Sequence, residues 1–91
     1  MTHEKLNESV KRILWENWDP IGVNDIPEAI GEYDSYAPSV TTLLLNGADV
    51  RKIRNHLHSI ETTPMGMNGD LARCEDAAQL LTAVRDTQGP N

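Results

Sequence analysis

The chain has 91 residues, a formal net charge of −6 and one cysteine. That length supports a single domain, with roughly 5,300 Å² of folded surface and about 64% of the extended chain's surface buried. Hydrophobic residues at 38% and charged residues at 24% exclude a disordered or membrane-embedded chain, and the acidic balance excludes an ordinary DNA-binding domain.

Helical periodicity predicts a first helix from about His3 to Trp18. Leu6, Val10, Ile13, Leu14 and Trp18 draw one apolar stripe, and Glu4 and Glu8 suit the positive end of the helix dipole. Asp19-Pro20 ends it, because the residue before proline is biased out of the helical region. The segment from Asp19 to Asp34 carries Pro20, Gly22, Pro27 and Gly31 and reads as a Pro/Gly-containing loop.

A second helix is expected from Ser35 or Pro38, with Asp34 as its cap and Tyr36, Val40, Leu43 and Leu44 on its apolar face. Asn46-Gly47 stops it. Asp49 caps a third helix that buries Val50, Ile53, Leu57 and Ile60 and exposes Arg51, Lys52, Arg54 and Asn55. Thr62 to Gly69 is a loop. Asp70 then caps a fourth helix with the stripe Leu71, Cys74, Ala78, Leu81 and Val84, while Ala72, Ala77 and Ala83 permit a close neighbour. The expectation is an all-α, compact four-helix bundle-like domain over residues 1–87, with a frayed tail at 88–91.

Charge and aromaticity are unevenly spread. Between Arg12 and Arg51 there is no lysine or arginine, yet seven of the fourteen acids lie there: Glu16, Asp19, Asp25, Glu28, Glu32, Asp34 and Asp49. Trp15, Trp18, Tyr33 and Tyr36, all the aromatic residues, share the interval. Two readings are open. The aromatics are the large core fillers of a small domain, with acids accepting their hydrogen bonds. Alternatively, Glu28, Glu32, Tyr33, Asp34 and Tyr36 form an outward contact face, aromatic anchors ringed by carboxylates.

Trp18-Asp19-Pro20-Ile21-Gly22-Val23, Glu32-Tyr33-Asp34-Ser35-Tyr36-Ala37-Pro38, Leu45-Asn46-Gly47-Ala48, Ile60-Glu61 and Met65-Gly66 follow one another in an order and spacing that resembles the YugE-like family of small bacterial proteins, a domain of unknown function. The likeness spans residues 6 to 67, and Pro64 departs from the pattern. It implies a compact helical bundle without a known activity or cofactor. Some similar domains lie near bacterial toxin genes, which implies an immunity role for certain members. The residues themselves point to structure first: Asp19 accepts backbone N–H bonds before Pro20 in a turn, Tyr36 points into the bundle, and Glu61 ties the loop of Met65 and Gly66 back to a neighbouring helix.

Catalytic chemistry finds little footing. His56 and His58 lie two apart, about 200° around a helix, and do not share a metal ion. Cys74 sits on an apolar stripe, where a thiol behaves as a small hydrophobe. An acid–base site would require Glu32, Asp34 and Glu61 to converge, with His58 beside them, in a bundle with little room for a pocket. The glycines of Met65-Gly66-Met67-Asn68-Gly69 match no phosphate-cradling pattern.

The sequence therefore reads as a non-enzymatic module without cofactor or metal that binds a protein of basic surface, as an immunity or inhibitor protein binds a toxin or nuclease. The alternatives are a homo-oligomeric structural or regulatory protein, a small hydrolase or ligand-binding protein, and a phage-type acidic inhibitor of a nucleic-acid-binding enzyme. Neither direct nucleic-acid nor membrane binding is expected. A cytoplasmic location follows from the lone cysteine and from an amino terminus, Met1 to Lys5, without the apolar core of a secretory signal.

Overall fold

The amphipathic stripes fold as four α-helices: α1 (His3–Ile13), α2 (Ala37–Leu45), α3 (Val50–Thr62) and α4 (Leu71–Gln88). The computed structural model describes residues 3–23 and 25–88, and no strand occurs among them. Gln88 closes α4, and the rest of the expected frayed tail, 89–91, lies outside the described residues. The accessible surface is 5344 Å², that of a folded chain of this length.

The first helix is shorter than its stripe predicts. Leu14–Trp18 winds as a π-turn, closed by the Asp19 N–H on the Leu14 carbonyl at 3.0 Å. A continuous α-helix would carry Trp18 about 120° around from Leu6. The wider π winding turns through less angle per residue and brings the indole back over the core, where Trp18 is completely buried with Leu6, Val10, Ile13 and Leu14.

Helix α2 follows two 3₁₀ turns, Pro27–Ala29 and Asp34–Tyr36. Asp34 does not cap it. Tyr36 occupies the capping position without a side-chain bond, and Pro38 in the first turn has no N–H to satisfy. Asp49 and Asp70 do cap α3 and α4, accepting the Lys52 and Arg73 N–H groups at 2.9 and 3.0 Å. At the far end of α2, the Arg85 guanidinium donates to the Leu44 and Ala48 carbonyls at 3.2 and 2.6 Å, so α4 finishes a helix forty residues away in sequence.

The most extensive packing joins α3 to α4, and α4 also covers α1 and the π-turn. Ala77 and Ala78 make the close approach; Ala72 and Ala83 face outward, and Leu71 is exposed rather than on the stripe. Between α1 and α2 a partly buried polar pair, the buried Thr41 donating to Asn7 at 2.9 Å, adds direction to the seam. Ser39 of α2 meets His56 Nε2 of α3 at 2.9 Å, and burial pushes that imidazole below its ordinary pKa.

Two measurements check this packing. Gly69 has φ +84°, and a Cβ there would stand 2.6 Å from the His58 ring; Gly22, at φ +74°, has open space. Gly69→Ala is expected to lower unfolding free energy by about 2–4 kcal/mol and Gly22→Ala by about 1–2 kcal/mol. In urea titrations, the neutral His56 favoured by the fold should make stability fall as pH drops below about 6.5, where the unfolded imidazole takes up its proton first. His56→Asn should flatten that fall.

Candidate functional site

The Trp-Asp-Pro and Glu-Tyr-Asp motifs meet in one buried knot. The π-turn delivers Asp19 in a left-handed conformation (φ 34°), 5% exposed. Its Oδ1 accepts the Tyr33 hydroxyl at 2.7 Å and the Val23 N–H at 2.9 Å. The Tyr33 oxygen in turn accepts the Ile21 N–H at 3.1 Å. Arg73 of α4 donates to the Asp19 carbonyl at 3.3 Å. Pro20 leads away from this point, so the strap of residues 20–36 is fastened at both ends of the knot.

Tyr33 is therefore a core residue, 1% exposed, and not part of an outward face. Its ring lies 5.4 Å from Trp18 and 6.2 Å from Trp15, and Trp18 meets Tyr36 edge-on at 6.1 Å. Burial, then the hydrogen bond to Asp19, raises the phenol above its ordinary pKa and keeps it a donor. Tyr36 is half-buried against the same core. The reading of the aromatics as core fillers holds for Trp18 and Tyr33.

The strap's outer face is built from other side chains. Asp25, Glu28, Glu32 and Asp34 are exposed, as is Glu16 on the preceding turn. Among them stand Ile21, Ile26 and Ile30, the last 73% exposed. Helical periodicity could not find these isoleucines, because Pro20, Gly22, Pro27 and Gly31 interrupt any stripe; the available signal was three isoleucines in a segment with no period to bury them.

Glu61 performs the tie expected of it and is 1% exposed. Its Oε1 accepts the Asp70 N–H at 2.9 Å and the Cys74 thiol at 3.3 Å, while its backbone carbonyl accepts the Met67 N–H at 2.8 Å. Met65 packs half-buried on the core, and Gly66 is exposed with φ +65°. Burial, reinforced by the Glu61 carboxylate, pushes the Cys74 thiol up to about 12, which favours its protonated form. The Trp18 indole N–H is buried nearby without an acceptor in bonding geometry, and it offsets that rise slightly.

Two shallow clefts flank Arg73. One, about 290 Å³, is lined by Pro20, Glu61, Met67, Asn68, Gly69, Asp70 and Arg73. The other, about 470 Å³, is lined by Glu16, Asn17, Asp19, Gly22, Asp25 and Arg73. Glu32 and Asp34 are exposed on the strap and line neither, whereas Glu61 is buried and bonded to Asp70 and Cys74. His56 and His58 contact different neighbours, Ser39 and Gly69. Among the described residues, no three metal-ligating side chains cluster, and no helix is long and apolar enough to cross a membrane. No family model, curated protein or solved structure matches this chain.

Tyr33→Phe removes one donor from Asp19 and one acceptor from Ile21 while keeping the ring. It is expected to cost about 1–3 kcal/mol in urea unfolding, with the Ile21 and Val23 amides losing hydrogen-exchange protection ahead of those in α3.

Proposed function

We propose that this protein is a non-catalytic acidic binding module that docks on a basic protein surface, acting as an inhibitor or immunity-type antidote to a toxin or nuclease. One observation carries the reading. Within residues 25–34, the exposed Asp25, Glu28, Glu32 and Asp34 are interspersed along the chain with the exposed Ile26 and Ile30, in a stretch free of lysine and arginine from Ile13 to Val50.

Carboxylates of one sign steer a positively charged partner and reject like-charged ones. The interspersed isoleucines supply the desolvated anchors, each worth about 1.5–3 kcal/mol when buried. Tyr33 contributes by holding the strap from beneath, and Tyr36 lies at its margin. A strap fixed at the Asp19 knot is pre-organised, which reduces the ordering cost of association. A symmetric dimer through this patch is disfavoured, since a two-fold axis would set its carboxylates against their own copies. The resemblance to the YugE-like group, some of whose similar domains neighbour toxin genes, fits the same role.

The test is association kinetics with a basic partner recovered by affinity capture from the native cell. Replacing Glu28, Glu32 and Asp34 by their amides should slow association roughly three- to tenfold at low salt and flatten its salt dependence. Ile30→Ser should leave the on-rate alone and speed dissociation roughly tenfold. An unchanged on-rate in the amide variant would remove the electrostatic role of the strap.

A further inference from the structure

Glu61 is a carboxylate almost wholly removed from water, and its two oxygens are treated differently. Oε1 takes both protein donors, the Asp70 N–H and the Cys74 thiol. No group among the described residues donates to Oε2, and no ion pair reaches Glu61. A carboxylate oxygen without a protein donor at the edge of solvent is completed by water or by a cation. Glu61 lines the cleft between Pro20 and residues 67–70.

Arg73 lines the same cleft but is engaged with the Asp19 carbonyl. The walls, Pro20 and the exposed Met67, offer apolar surface to an alkyl stem, and Asn68 and Asp70 add oxygen acceptors. With a single carboxylate oxygen available, the two-pronged pairing that a guanidinium prefers is not on offer. An ammonium needs only one such point.

We propose that this cleft receives a lysine side chain, its ammonium on Glu61 Oε2 and its methylenes between Pro20 and Met67. The inference rests on the docking reading given above: the lysine belongs to the basic partner, and the cleft fixes its register beside the strap, with Arg73 shared between the two clefts. Steering by the strap acts at a distance, whereas this contact acts only once the partner is seated.

The probe is n-butylammonium added to the intact protein alone, followed by amide chemical shifts of Met67, Gly69 and Asp70. Saturable shifts are expected with an apparent Kd of about 1–10 mM, as fits so small a ligand; n-butanol should give none. Glu61→Gln keeps an acceptor for Asp70 and Cys74 but removes the charge, and should weaken binding roughly tenfold or more. Arg73→Gln removes a like charge from the cleft and should tighten binding roughly two- to threefold, which tests the site even if Glu61→Gln does not fold. Absence of saturation in the wild-type protein, equal shifts with butanol, or no change on either substitution would overturn the lysine site. Those outcomes leave strap docking standing, because its readout is the salt-dependent association rate of the strap amides; a failed strap with a saturable cleft would do the reverse.

Discussion

The hydrogen bond from Tyr33 to Asp19 governs the architecture on the acidic side of this protein. A buried carboxylate is tolerated only when its oxygens are provided for. Here the phenol and the Val23 N–H provide for Oδ1 from two points of one strap, four and fourteen residues along the chain. Forming that knot requires the π-turn, which swings Trp18 inward and turns the backbone left-handed at Asp19. It also requires the tyrosine ring to stack beside the indoles instead of facing solvent. The strap consequently behaves as a fixed surface although it contains only short 3₁₀ turns.

Glu61 solves a parallel problem at the loop between α3 and α4. Its side chain collects the Asp70 N–H, and its carbonyl collects that of Met67, so loop and helix start are tied to the end of α3. Arg73 lies between the two arrangements, bonded to the Asp19 carbonyl and bordering the cleft that Glu61 lines. The Trp-Asp-Pro, Glu-Tyr-Asp and Ile-Glu elements are thus first a means of fastening loops to a bundle. What they fasten are the two features on which the proposed recognition rests: the exposed carboxylates and isoleucines of the strap, and the Glu61 carboxylate.

This division of labour has a physical rationale in so small a domain. A ninety-residue chain buries little surface per residue, so its largest side chains cannot be given up to an outer face. Trp18 and Tyr33 are the largest completely buried residues, and the outward apolar role passes to smaller isoleucines. Electrostatic potential, unlike burial, acts over roughly a Debye length. In the proposed docking, the exposed acids on the strap would serve recognition without depleting the core.

Local sequence determined the helices. The stripes of α1, α3 and α4, the caps Asp49 and Asp70 and the stop at Asn46-Gly47 all depend on spacing and on backbone chemistry within a few residues. The bare interval between Arg12 and Arg51 was equally legible, since composition needs no coordinates. Only tertiary structure decided which members of that interval face water. Tyr33 and Ile30 lie three residues apart in a segment without period, and a long-range bond to Asp19 pulls one inward while nothing covers the other. Likewise Leu71 begins a good helical stripe but lies beyond the surface that α3 and the π-turn cover, whereas Ala77 and Ala78 lie within it. Periodicity tells which face of a helix is apolar; which part of that face is covered depends on partners remote in sequence.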